Sequence, residues 1–466
     1  MKATNRTRIL MTVTILLAIV AGTLITRQVR AQKQQDSKPS SFTPVVEEPF
    51  DVVGARDKAA KAAVMAAHRK LLEERYDLTR HVDENVRMTR GKPIPVGPTA
   101  RLKSGVNWEQ LGRMSPEEIR EKGLFPYLPL PHVSHPVGGM VFPQSEIKSL
   151  ARLERFDMDF DLPDWFLPEF PAAIFLTTRP DLGDVSKGQV VTIDNFYELF
   201  NGILNPKQLD GLRLLVTQFP QQQFNSTADR KTEKADGMRG VAGFDCHVNG
   251  HTSGAFHLVG DIRPQENRRR IETPSLRGVN IQRLFGSQRA LKTVEDFTEF
   301  EQRAAYFDGD PVLATKKGLN ILDRGSQVHD MSEFQELLDF PPAPKLNILG
   351  RLDRTKATEA EARGEDLFFG KANCAACHTP PFYTDNSMHD LKVERFYKPR
   401  MEGGMLITAQ GPIKTFPLRG IKESPPYLHD GRLLTLEDAV EFFNLVQQLN
   451  LTQQEKSDLV AFLRVL

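Results

Sequence analysis

Cysteine is scarce in this chain: three residues in 466, at positions 246, 374 and 377. An odd count cannot all be paired, and two of the three stand only three positions apart. A disulfide-stapled scaffold is therefore excluded, and cofactor or metal chemistry is favoured. Net charge is equally scarce, since 61 Lys and Arg balance 60 Asp and Glu to a formal +1. No global attraction to nucleic acid or to an anionic membrane follows from that balance. Beyond the N-terminus there is no apolar run long enough to span a bilayer. What is present is ample for folding: 40% hydrophobic and 26% charged residues can bury real cores. The length suggests roughly two or three domains.

Lys2, Arg6 and Arg8 precede an uncharged, mostly apolar stretch from Ile9 to Ile25, and Val29-Arg30-Ala31 offers a small residue where signal peptidase cuts. Residues 1–31 are expected to be a signal peptide, or else an uncleaved anchor, because the stretch nearly spans a bilayer. Either one delivers the chain across the membrane, which is met only through an uncleaved N-terminus. Residues 32–50 are polar with Pro and Ser, and read as a linker.

Residues 51–200 begin with an amphipathic helix, expected over Ala55–Leu78 from the spacing of Ala63, Val64, Ala67, Leu71 and Leu72. From Thr79 to about Asp184 prolines are too dense for long helices, so a mostly irregular segment wrapped on a larger core is expected. His132 and His135 in this region have metal-ligand spacing but no neighbouring partners, which favours plain loop histidines; Trp165 reads as core packing.

The second half repeats itself. Residues 273–300 align without a gap on 415–442, at an offset of 142, through Thr273/Thr415, Leu276/Leu418, Arg277/Arg419, Gly278/Gly420, Thr293/Thr435, Glu295/Glu437, Asp296/Asp438 and Phe300/Phe442. Each copy carries Thr-x-x-Asp before an apolar periodic run, a helix start with carboxylates in its first turn. A second match, KQLDGLRLL (207–215) on AEARGEDLF (360–368), precedes each cysteine. One unit of helix, cysteine–histidine site, Leu-Arg-Gly loop and helix therefore occurs twice, over residues 201–345 and 346–466. The last copy closes on an amphipathic helix that starts at Thr452-x-x-Glu455. The expected fold is all-α.

Cys374-Ala-Ala-Cys377-His378 is the strongest motif. In c-type haem attachment, two thiols at this spacing add across the porphyrin vinyl groups and the adjacent imidazole reaches the iron. A zinc site would need two more ligands nearby, and a thioredoxin-like dithiol would need a βαβ context instead of helical flanks. Copy one departs from the motif: Gly243 stands where the first cysteine would be, followed by Cys246-His247. Either a haem attaches there through one thioether with His247 as axial ligand, or Cys246 is a relic thiol.

On these residues the chain resembles the bacterial di-haem cytochrome c peroxidase / MauG-like family. Copy two carries the likeness through RGEDLFFGKANCAACHTPPFYTDNSMHDL, KTFPLRGIKESPPYLHDGRLLTLEDAVEFF and LTQQEKSDLVAFL; copy one carries it more weakly, through the Cys-His pair and RRRIETPSLRGV. The resemblance covers residues 200–466 and implies two tandem cytochrome c-like haem domains in the periplasm. It further implies that the C-terminal haem passes an electron to the N-terminal haem, where peroxide is reduced. A small cytochrome c or cupredoxin would be the donor, and a homodimer is compatible with it. A pure electron-transfer cytochrome, a MauG-like oxidase of another substrate and a scaffold keeping haem as filler are the alternatives.

Carried over residue by residue, the resemblance makes Cys374, Cys377 and His378 haem ligands of copy two, and His429 a position near the domain interface. The usual distal ligand falls on Phe443, which cannot bind iron, leaving His389, Met388, Met401 and Met405 as substitutes. In copy one the family's Trp and Gln are replaced by Gly286 and Phe297. Its catalytic glutamate has no clean match, with Glu299, Glu301 and Asp308 in the neighbourhood and His257 as a candidate distal ligand. Family members also bind calcium between domains, for which Glu272 with the Ser424 and Pro426 carbonyls would serve here. Arg277 and Arg419 would pair with haem propionates or cap helix ends.

Overall fold

The computed structural model describes residues 50–130, 140–155, 158–218, 242–257, 270–303, 322–402, 405–407 and 410–466. The apolar N-terminal run, most of the linker, His132, His135 and Asp308 lie outside these residues. Among the described residues no helix is long and apolar enough to cross a membrane. Helices dominate: α1 (Phe50–Arg75), α2 (Trp108–Arg113), α3 (Pro116–Lys122), α4 (Gln144–Ser149), α5 (Phe196–Phe200) and α6 (Pro206–Val216) precede the repeat's first cysteine. Then come α7 (Gly243–Cys246), α8 (Val294–Arg303), α9 (His329–Gln335), α10 (Glu359–Phe369), α11 (Leu436–Val446) and α12 (Gln453–Leu463).

The all-α expectation needs one correction, because short strands tie the loops together. They are β1 (Val82–Arg87), β2 (Pro93–Pro95), β3 (Met140–Val141), β4 (Phe175–Leu176), β5 (Phe256–His257), β6 (Ile271–Glu272), β7 (Leu338–Asp339), β8 (Met388–His389), β9 (Arg400–Glu402), β10 (Met405–Ile407) and β11 (Ile413–Lys414). They pair as β1-β2, β3-β5-β6, β4-β7, β8-β11 and β9-β10. These strands are loop segments satisfying backbone groups where proline and glycine forbid a helix. The first helix also differs from expectation: it stops at Arg75, and Tyr76 bridges to Ala100.

Two hydrophobic clusters form among the described residues. The larger joins Leu72 of α1 and Tyr127 and Phe166 of the proline-rich region to Phe368, Phe442 and Phe462 of copy two, with Trp165 packed against it. The smaller joins Ile174 and Phe200 to Leu212, Phe244 and Phe334 of copy one. Asp438, expected only as a first-turn carboxylate, anchors the larger cluster. It accepts from Thr99 N (2.9 Å), Thr99 Oγ1 (2.6 Å) and Tyr127 Oη (3.0 Å) while its own amide is capped by Thr435 (3.0 Å).

The repeat is visible in the backbone. Gly278 and Gly420 both take left-handed φ values, 73° and 69°, and Phe285↔Leu291 and Tyr427↔Leu433 make equivalent bridges. The equivalent positions also reach across to each other. Glu272 N donates to His429 O (2.8 Å), and Lys414 N donates to Ser287 O (2.9 Å). Since 272 corresponds to 414 and 287 to 429 at the offset of 142, the two copies exchange the same contact. In each copy the helix before the cysteine meets the last helix through a glycine: Gly211 on α6 against Asp330, and Gly364 on α10 against Asp458. A Cβ at Gly364 would overlap the Asp458 carbonyl oxygen, a rigid backbone atom. Gly364→Ala is expected to destabilise the fold by roughly 3 kcal/mol through forced separation of α10 and α12, read as a lower denaturant midpoint.

Candidate functional site

In copy two, Asn373 at φ 50° turns the chain into a short 3-10 turn, Cys374–Ala376, and His378 N closes on Cys374 O at 2.9 Å. The His378 ring lies 2.9 Å from Tyr383 O through Nδ1. A carbonyl can only accept, so Nδ1 carries the hydrogen and Nε2 presents its lone pair. Burial holds this imidazole below its ordinary pKa, so it is neutral at pH 7 and competent as a ligand. Burial pushes the Cys374 thiol up to about 12 and raises Cys377 too, with the Asp385 charge adding to the latter. Cys374 and Ala375 pack against the larger apolar cluster, as do Leu418, Ile421, Leu428 and Phe443. Two thiols, a neutral imidazole and an apolar wall fit a haem c.

The same turn brings Asp385 and His389 to Cys377, with one ligand atom of each within 4.8 Å of the others. The zinc alternative thus gains two donors that sequence spacing did not supply. His389 Nε2 is, however, engaged with Asp385 Oδ2 at 2.7 Å, and three donors fall short of the four of a structural zinc site. His389 also bears electrostatically on His378, which places it on the attachment side of the motif. Met388 is paired with Lys414 across β8-β11, while Met401 and Met405 lie on β9 and β10 with side chains outside the described part. Phe443 stacks edge-on against Phe442 at 5.2 Å.

Copy one reproduces the histidine. His247 Nδ1 lies 2.8 Å from Pro274 O, giving the same tautomer as His378. Cys246 is buried, and burial, then Glu146, Asp245 and Glu301, push its thiol well above the ordinary range. Gly243 occupies the first-cysteine place, where a Cβ would make a tight contact of 3.1 Å with Leu215 Cδ2 on α6. His257 has its backbone paired with Met140 and Ile271, and its side chain lies outside the described part.

The remaining candidates have protein partners. Glu299 and Asp296 clamp Arg324 on the surface of α8. Arg277 pairs with Glu423 at 2.9 Å and donates to Ala173 O at 2.7 Å, so it joins the copies. Arg419 donates to Leu466 O at 2.8 Å, nearer to the capping alternative than to the propionate one. Glu272 accepts from Thr252 Oγ1 at 2.8 Å, and burial raises its carboxyl well above the usual range. His251 bridges Ser275 Oγ (2.8 Å) and Glu423 O (2.9 Å), and burial, followed by Arg277, lowers it to about 3.

Glu146 is the residue sequence reasoning missed. It sits on α4, fully buried, with the Ser253 hydroxyl and the Asp245 and Arg152 charges bearing on its carboxyl. Burial first, then the Asp245 charge, push its carboxyl well above the ordinary range. Asp245 itself is held bidentately by Arg152 at 2.7 and 2.8 Å. No signal in the sequence marks Glu146, because its segment has no counterpart in the repeat.

No family model matches the chain. Among curated proteins it is 31% identical over 154 residues to the cytochrome-c peroxidase IdrP1 of Denitromonas iodatirespirans, covering 24% of this chain and 41% of that protein. It is 31% identical over 118 residues to the methylamine utilization protein MauG of Methylorubrum extorquens, covering 22% and 33%. It is 31% identical over 143 residues to the cytochrome c551 peroxidase of Nitrosomonas europaea, covering 29% and 42%. The chain thus spans less than half the length of these relatives. A MauG-like protein associated with microbial copper homeostasis superimposes at a TM-score of 0.38 and 19% identity, over 56% of this chain and 88% of that one.

Proposed function

The chain is a relative of the bacterial di-haem cytochrome c peroxidases and MauG, and from that relationship we propose an exported redox protein with two haem c sites that reduces peroxide. An electron from a small donor cytochrome or cupredoxin enters at Cys374, Cys377 and His378 and passes to the site at Cys246 and His247. Haem c, when bound, supplies one-electron chemistry and an iron at which peroxide is reduced. The chain's own residues attach and orient it. Cys374 and Cys377 carry two thioethers, Cys246 carries one, and His378 and His247 offer Nε2 lone pairs.

The observation that carries this reading is the matched pair of imidazoles, each directly after a cysteine and each donating Nδ1–H to a backbone carbonyl, at 2.9 and 2.8 Å. Such a bond fixes ring orientation and raises ligand basicity. Reduction of peroxide to two waters consumes two electrons and two protons. Glu146, whose carboxyl burial keeps protonated further up the pH scale, holds a proton beside Cys246. The test is intact mass together with the spectrum of the half-reduced protein. Two covalent haems, a spectral change with peroxide and turnover are expected. One added haem would restrict the reading to copy two, and no response to peroxide would sink the peroxidase.

A further inference from the structure

Lys414 on β11 is 2% exposed, yet among the described residues no carboxylate pairs with it. Its Nζ donates to Gln282 Oε1 at 3.0 Å and lies 5.5 and 5.3 Å from the ring centres of Phe285 and Phe416. Burial, then the Arg289 charge, lowers its ammonium to about 8. Arg289, on a left-handed turn at φ 55°, has a buried Nε with no hydrogen-bond partner. Lys414 N donates to Ser287 O (2.9 Å) and Gln288 Nε2 to Pro412 O (3.1 Å), so the two cations sit on adjoining segments, with the neutral Gln282 amide on Lys414. Burial of like charges without a counter-ion is unfavourable, so such a pair marks a place that an anion completes. The repeat sharpens the point. The position equivalent to Lys414 in copy one holds Glu272, so the same crossed backbone contact carries an acid in one copy and a base in the other.

The location decides the anion. Ile413 and Lys414 pair with His389 and Met388, and the Phe416 backbone bears on His378. The cation pair thus lies between copy one and the Cys374–Cys377–His378 turn. We propose that Lys414 and Arg289, with the Gln282 amide, form a carboxylate-binding site spanning the two copies. A propionate of the haem on copy two and a free small carboxylate share the chemistry this site recognises; guanidinium and ammonium both suit it. The propionate assignment rests on the haem reading above, whereas the anion site itself does not.

The test uses the full haem-loaded protein in carboxylate-free buffer, with the midpoint potential of the copy-two haem and the melting temperature as readouts. A nearby cation disfavours the oxidised, more positive iron, so Lys414→Met is expected to shift that potential downward and Lys414→Arg to restore it. If a propionate fills the site, acetate leaves the wild type's potential and melting temperature unchanged. If a free carboxylate fills it, acetate shifts both saturably in the wild type and not in Lys414→Met. Should Lys414→Met fail to fold, Arg289→Gln, on a half-buried turn, is expected to lower the potential in the same direction. Should intact mass show no haem on copy two, the acetate effect on melting still tests the anion site while the haem reading fails separately. Unchanged potential in the lysine and arginine variants, with haem content intact and no response to acetate, overturns the proposal.

Discussion

Glu146→Gln is expected to lower peroxide turnover by about 10²–10⁴-fold with both haems still attached. Cleavage of the O–O bond needs a group that takes one peroxide proton and returns it to the leaving oxygen. Glu146 is fully buried beside Cys246, with the Ser253 hydroxyl on its carboxyl, and burial raises that carboxyl well above the usual range. A carboxyl with a raised pKa is a stronger base once ionised and, once protonated, can return that proton to the leaving oxygen. Glutamine preserves volume and polarity but cannot carry that proton. In the wild type kcat/KM should rise with pH through the raised Glu146 pKa, and in the variant that limb should vanish. A purely structural role would not move the profile. The linkage runs the other way for folding: a carboxyl raised in the native state favours folding at low pH and loses that contribution as pH rises through its folded pKa. Glu299→Gln serves as the contrast, since Glu299 is engaged with Arg324 on the surface and turnover should stay near wild type. Equal turnover and equal pH profiles for Glu146→Gln and the wild type would remove Glu146 from the chemistry.

Cys246→Ala is expected to remove one covalent haem mass and to abolish peroxide turnover, while leaving the copy-two spectrum in place. Copy one offers a single thiol, because Gly243 stands where copy two has Cys374. His247 keeps its tautomer without help from Cys246, through Pro274 O at 2.8 Å, so the axial ligand survives the substitution. Loss of the mass would then be loss of the bond, with the ligand intact. Identical masses for variant and wild type would mean that Cys246 holds nothing, and that copy two alone carries haem.

The helical half of the chain was legible because its signals are local. Thr293, Thr435 and Thr452 cap α8, α11 and α12 as their spacing predicts, with amide-to-Oγ1 distances of 3.1, 3.0 and 3.2 Å. The offset of 142 also predicted the equivalence of the Leu-Arg-Gly loops. What escaped was set by distant partners. Arg419 faces a propionate or a helix end equally well in sequence, and its contacts with Leu466 O and Pro341 O come from 47 and 78 residues away. Asp438 looks like a first-turn carboxylate until Thr99 and Tyr127 arrive from more than three hundred residues away. Asp385 and His389 reach Cys377 because the turn after the motif folds back, which no spacing rule encodes. The proline-rich region was opaque for the same reason: its residues earn their places through the core they cover.

The exchanged contact between copies, Glu272 N to His429 O and Lys414 N to Ser287 O, bears on the order in which the chain can mature. As the polypeptide emerges N-terminus first, copy one is complete in sequence long before Ser287 and Glu272 have anything to bind. Its loop edge stays open until the equivalent stretch of copy two has been synthesised. Each copy's loop edge is completed only by the other, so the backbone groups of Glu272 and Ser287 are satisfied only once both copies have been made.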